Sequence, residues 1–444
     1  MKKTIALLLA LVMLFALAAC SGDNGNSANT NTPDTTNTDN ANTPDDTNTP
    51  DDTTPDDANT PVEVDYDNPI KIGHIADLTG NEASTGILAQ KSVDFAAKLI
   101  NESGGINGRA IEIVTKDSMS TPATAVAMVR ELVENEGVLA VVGPTQIGHK
   151  VAVAPVAAEY EVPVICYNGT PAFLAMKNEY VMSSGGGTAQ MPTAMADYLY
   201  NDLECRTIYT ITQEGTAGDN YVVPLVENFE ALGGTVIEDI RVPADATDIG
   251  QYLLRVTQDA DALVGWLSGT QGVTLWTTWY DQGLADKMPL YGAVHGGFTD
   301  YFIWKQLAAQ RSDVVEKALE WGVYAPINYA YSIDTEENQA FVEAWQAEFN
   351  EVPVGSNLPG AGYTCLSLIK NAIESISGDV DGASLYEALQ NAEANVAEGH
   401  TAFNGQKIAA KAVYIVKVIR QDDTFNYEVV DVYEDVPVNG LTVG

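Results

Sequence analysis

The chain has 444 residues, with 22 Lys+Arg against 61 Asp+Glu and a net charge of −39. So acidic a balance argues against a nucleic-acid partner, whose phosphates need cationic contacts, and gives a strongly solvated surface instead. After Cys20 no apolar run is long enough to span a bilayer.

At the front, Lys2 and Lys3 precede an apolar stretch from Thr4 to Leu17. That stretch is short for a membrane span and is followed by small residues, so it reads as a signal peptide over residues 1–19. Leu17-Ala18-Ala19-Cys20 is similar to the lipobox of bacterial lipoproteins, which implies cleavage before Cys20 and lipid attachment to its sulfur. The alternative is ordinary secretion with an incidental Cys. Ser21 to Thr60 contains only Ser, Gly, Asp, Asn, Ala, Thr and Pro. It holds no bulky apolar residue and is expected to be disordered, so residues 20–67 read as a tether, which favours the anchor.

The folded part then alternates strand and helix. Ile70–Ala76 is a strand, Gly86–Ser103 a helix stopped by Gly104-Gly105, and Ile111–Thr115 a strand. Thr121 and Pro122 open a helix as N-cap and first residue, running to about Asn135. Val138–Val142, Gly148–Tyr160 and Val162–Tyr167 form a strand–helix–strand unit with a right-handed crossover. In such sheets ligands sit beyond the carboxyl ends of the strands, which points to the loops Gly143–Gly148 and Asn168–Pro171. A strand at Tyr180–Ser183 leads into Gly185-Gly186-Gly187, read as a crossover between lobes.

The pattern restarts with helices at Ala189–Tyr200, Asn220–Leu232, Asp248–Gln258 and Val273–Gln282. Strands fall at Thr207–Thr212, Val236–Ile240, Ala262–Leu267 and Leu290–Ala293. Gly233-Gly234 repeats the earlier helix–Gly-Gly–strand phrase. Helices at Glu336–Phe349, Gly360–Ser375 and Ser384–Asn391 follow, and strands Ala412–Arg420 and Tyr427–Val432 flank the turn Gln421–Thr424.

No GxxxxGK[ST], HExxH or GxSxG motif is present, and His74, His149, His295 and His400 are too scattered for a zinc site. Cys166, Cys205 and Cys365 lie far apart and read as small buried hydrophobes. Trp266, Trp276, Trp279 and Tyr280 invite a sugar-stacking reading, but their strand and helix spacing favours packing. His149 and Lys150, near a helix start, are expected to face solvent, with an anion as the alternative.

IADLTGNEASTG, INESGGINGRAIEIVTKD and ELVENEGVLAVVGPTQIG, in that order, resemble the type I solute-binding proteins of ABC importers, in the leucine/isoleucine/valine-binding group. The resemblance covers about Ile70 to Val432. It implies an α/β fold of two Rossmann-like lobes with parallel-type sheets flanked by helices, joined by three crossover hinge segments and closing on a ligand. Residues 68–186 with about 328–410 would form lobe I, and 187–327 with about 411–444 lobe II.

Carried onto this chain, the family's contacts fall at Thr85, Gln146, Ile147, Gly148, Asn168 and Thr170 in the first lobe. Ile147 stands where the family has Ser, so the hydroxyl is lost while backbone donors stay. In the second lobe they fall at Ala217, where the family often has Tyr, at Ser268, and at Val294 or His295. The family's ammonium-binding carboxylate is missing from those positions, so a bulky, aromatic carboxylate competes with a branched-chain amino acid. The expectation is a lipid-anchored, monomeric receptor without cofactor, working with an ABC permease and its ATPase. A sensory surface receptor on the same fold, or an unrecognised enzyme, is the alternative.

Overall fold

Apolar β-branched runs broken by glycine, alternating with helices, build parallel sheets covered on both faces. The computed structural model describes residues 64–80, 82–169, 180–185, 190–267, 270–292, 301–354, 357–421 and 424–436. Cys20 and the tether as far as residue 63 lie outside the described residues, and the last tether residues, from Asp65, belong to the first strand, which starts earlier than the expected Ile70.

The first sheet contains β1 (Asp65–Ala76), β2 (Arg109–Asp117), β3 (Ala140–Val142), β4 (Val164–Cys166) and β5 (Val181–Ser183). Its order is β2-β1-β3-β4-β5, and every pairing is parallel. Helices α1 (Ala83–Glu102), α2 (Pro122–Glu131) and α3 (Ile147–Glu159) connect these strands. Thr121 caps α2 by accepting the Thr124 amide, with Pro122 at the first position, as the sequence indicates. Beyond Glu131 the helix widens into a π turn, Leu132–Glu136, closed by left-handed Gly137.

The second sheet repeats the plan. After α4 (Met191–Asn201) come β6 (Thr207–Gln213), α5 (Thr216–Ala231), β7 (Thr235–Val242), α6 (Gly250–Leu253), β8 (Ala262–Trp266), α7 (Thr270–Asp281) and β9 (Leu290–Gly292). Its order, β7-β6-β8-β9, is parallel throughout and matches β2-β1-β3-β4. In both sheets a helix glycine seats the first helix against the end of the first strand. A Cβ on Gly86 would stand 2.1 Å from the Asp77 carbonyl oxygen, and one on Gly218 1.7 Å from that of Gln213. No side chain fits at either contact.

The helix expected over Asp248–Gln258 is reduced to α6. The amides of Arg255 and Val256 bond to Tyr252 and Leu253, three residues back, which tightens and ends the turn. Helices α8 (Tyr301–Gln310) and α9 (Ser312–Trp321) are additional to the sequence reading.

The third sheet is antiparallel. It holds β10 (Tyr324–Ile327), β11 (Glu393–Val396), β12 (Gly399–Ala402), β13 (Ala410–Gln421) and β14 (Thr424–Val436). β13 pairs with β10, β12 and β14, and Gln421 faces Thr424 at the expected turn. Helices α10 (Glu336–Phe349), α11 (Leu358–Ser375) and α12 (Gly382–Leu389) accompany it, with a capping box at Asp381 and Ser384.

Trp276, Trp279 and Trp304 are fully buried in the core beside the second sheet, and Trp266 is buried on β8. They pack rather than stack on a sugar. Cys166, Cys205 and Cys365 are buried free thiols. Among the described residues no helix is long and apolar enough to cross a membrane.

Candidate functional site

The carboxyl ends of β1 to β4 gather four segments: Asp77, Ser118, Gly143–Thr145 and Asn168-Gly169. Gly143 has φ +89, and a Cβ there would lie 2.4 Å from the Ile75 carbonyl oxygen, so only glycine lets this loop cross the end of β1.

Asp77 is 1% exposed and fully engaged. It accepts the Ser118 hydroxyl and, at 3.0 Å, the Thr145 hydroxyl, and its Oδ1 lies 3.3 Å from His149 Nδ1. Burial alone would raise this carboxyl, but His149, Ser118 and Thr145 together hold it below the ordinary carboxylate range. Ser118 gives its proton to Asp77 rather than to His149, so the trio lacks the hydroxyl-to-base bond of an activated nucleophile. It works as a scaffold that fixes the loops.

Gln146 is the residue before α3, and its side-chain amide donates to Glu82 Oε2 at 3.1 Å. The first helical bonds run from His149 and Lys150 to the Gln146 carbonyl, at 3.2 and 3.1 Å. The N–H groups of Ile147 and Gly148 precede those bonds and are not used within the helix. Ile147 is half-buried and Gly148 exposed, while Thr85 is half-buried in the first turn of α1. Asn168 is half-buried, and its carbonyl and side-chain oxygens both accept from Lys150 Nζ, the former at 2.7 Å.

His149 and Lys150 do not face solvent as expected: they are 3% and 2% exposed. The reason lies in α3 itself. Its exposed side is taken by Gly148, Val151, Pro155, Ala158 and Glu159, and His149 and Lys150 fall instead on the buried side with Val153, Ala154, Val156 and Ala157. Burial pushes the Lys150 ammonium down to about 8. His74, on β1, is likewise enclosed. Its Nε2 lies 2.6 Å from the Tyr167 hydroxyl, and burial lowers it to about 3, which keeps the ring neutral.

Below the loops lies a second polar group absent from the sequence reading. Lys411 Nζ and Glu398 Oε2 form a fully buried ion pair at 2.7 Å, and the Thr364 hydroxyl donates to the same oxygen at 2.5 Å. The chain segments around it run side by side. The Ser183 amide donates to the Lys407 carbonyl, the Ala409 amide donates to the Ser183 carbonyl, and the Asn328 side chain donates to the Ala412 carbonyl.

In the second half, Ala217 lies in the first turn of α5 after β6, the counterpart of the α1 start. Its side chain, together with Thr170, Ser268 and His295, lies outside the described residues.

A family model described as periplasmic binding protein matches residues 69–423. The Leu/Ile/Val-binding protein homolog 6 of Brucella melitensis is 26% identical over 376 residues, covering 82% of this chain and 90% of that protein. The fold is similar to that of the ABC transporter substrate-binding protein from Sphaerobacter thermophilus. That structure has a TM-score of 0.73 at 25% identity and covers 83% of this chain and 99% of its own. It is also similar to a solute-binding protein of an ABC transporter from Rhodopseudomonas palustris, crystallised with 3,4-dihydroxybenzoic acid. There the TM-score is 0.70 at 23% identity, over 84% of this chain and 99% of that one.

Proposed function

This chain belongs to the periplasmic binding protein family, and we propose that it is the solute receptor of an ABC importer, handing a small organic solute to a permease. The lobes we assign are residues 68–186 with about 328–410, and 187–327 with about 411–444, so the first parallel sheet lies in one and the second in the other. The solute sits between them, against Thr85, Gln146, Ile147, Gly148, Asn168 and Thr170 on one side and Ala217, Ser268 and His295 on the other. Lipid on Cys20 holds the receptor at the outer face of the cytoplasmic membrane, and the acidic tether gives it reach. It acts as a monomer and as a binder, not an enzyme.

The observation that carries this reading is the loop cluster at the carboxyl ends of β1, β3 and β4. Among the described residues it offers N–H groups at Ile147 and Gly148 that no acceptor takes, while its buried carboxylate, Asp77, is already held by three side chains. Donors without a spare acceptor suit a carboxylate and leave an ammonium without its anion. A branched-chain acid or a bulky aromatic acid meets that description.

A thermal-shift screen over amino acids, aromatic acids and their amides tests it: at least one acid raises the melting temperature, whereas a flat response to the whole set contradicts it. For the anchor, Cys20→Ser is expected to release folded protein from membranes. Mutant that stays bound after a salt wash argues against lipidation.

A further inference from the structure

Two buried ammonium groups lie beneath the Asn168–Gly169 and Ser184–Gly185 loops, and the described residues supply one carboxylate for both. Lys411 faces Glu398 at 2.7 Å. Lys150 has no such partner: among the described residues its acceptors are the carbonyl and side-chain oxygens of Asn168. The titratable groups around it are Cys166 on β4 and Cys365 on α11. Burial pushes these thiols up to about 11 and about 12, so both are neutral. His149, next to Lys150 on α3, is turned to Asp77.

Cys365 also lies beside Lys411 and Glu398, which joins the two lysines in one cluster. The loops are tied to it as well. The Gly169 amide donates to the Gly185 carbonyl at 2.5 Å, and a Cβ on Gly185 would stand 3.0 Å from Lys411 Cδ. A buried cation without a counter-ion is costly. Here that cost falls directly under the loop proposed to hold the solute.

We propose that Lys150 is the electrostatic anchor of the solute: a ligand carboxylate seated on the Asn168–Gly169 loop supplies the counter-charge that the described residues do not. The inference rests on the receptor reading and narrows it, because the ligand must bring an anion and gains nothing from an ammonium. Burial lowers Lys150 to about 8, so the anchor is charged at neutral pH and discharges above it. A bound carboxylate favours the charged form, so binding takes up a proton once pH exceeds 8, and affinity falls by up to about tenfold per pH unit there.

The experiment uses the mature protein with benzoate and 4-methylpentanoate, neither of which titrates above pH 7, together with leucine, benzamide and 4-methylpentanamide. Titration calorimetry at pH 7 is expected to show acids binding at least tenfold tighter than amides. Lys150→Met should lose at least tenfold for acids, whereas Lys150→Arg should keep most of the affinity. The best acid should weaken with wild type between pH 8 and 9.5, a readout that stands even if Lys150→Met fails to fold. An amide binding as tightly as its acid, a Lys150→Met variant binding as wild type does, or an affinity flat across that pH range overturns the anchor while the receptor reading stands. Failure of every compound to bind removes the receptor reading itself.

Discussion

Lys150→Met removes one buried ammonium, and its effect on stability is calculable from the structure. The group is 2% exposed and titrates at about 8 in the folded chain against 10.5 when free. Below pH 8 both folded and unfolded chains carry the proton, and folding bears the full burial penalty. Between pH 8 and 10.5 the unfolded chain binds more protons than the folded one, so wild-type stability rises with pH across this window. Above 10.5 the penalty is gone. At 1.36 kcal/mol per unit the span is about 3 kcal/mol. Lys150→Met has no such proton to bind, and other titrating groups cancel in the comparison. Urea unfolding of both proteins at pH 7 and pH 10.5 therefore should show wild type gaining about 3 kcal/mol relative to the variant. Parallel pH profiles would refute the claim that Lys150 is a buried cation lacking a counter-ion.

Glu398→Gln leaves Lys411 charged, buried and without its anion, and should cost about 3–5 kcal/mol in the same assay. The double variant Glu398→Gln, Lys411→Met should recover much of that loss, and a double variant as unstable as the sum of its parts would show that the two do not act as a pair. Gly86→Ala drives a methyl to 2.1 Å from the Asp77 carbonyl oxygen. Pushing α1 off the end of β1 should cost about 1–3 kcal/mol or more by thermal melting, and an unchanged midpoint would mean that the contact is not tight.

Strands β3 and β4, and β1 from Ile70 onward, were legible because each is a β-branched run ended by polar or glycine punctuation, whereas Asp65–Pro69 of β1 carries no such signal. Helix α2 was legible because Thr121-Pro122 is a helix start in itself. Other elements carry little local signal. β11 and β12 are four residues each, rich in Ala, Asn, Glu and Gly, and are strands because β12 pairs with β13 and β11 with β12. Helices α8 and α9 run together without Gly or Pro between them, although Val314, Val315 and Ala318 mark the buried face of α9. The site divides in the same way. The loops at Gly143–Gly148 and Asn168 follow from topology, since a parallel sheet presents its carboxyl ends. The Asp77, Ser118 and Thr145–His149 cluster joins three distant segments, and no spacing in one sequence links them. Lys150 did have a signal: it shares the helical face of Val153, Ala154 and Ala157, all buried, while Gly148, Val151, Pro155 and Glu159 face solvent.

Small-angle scattering of the receptor alone, and saturated with the acid giving the largest rise in melting temperature, tests solute capture between two lobes most directly. A ligand that prefers the closed form shifts the population towards it, so the radius of gyration should fall on saturation. A radius unchanged at full occupancy would contradict closure of two lobes around the solute.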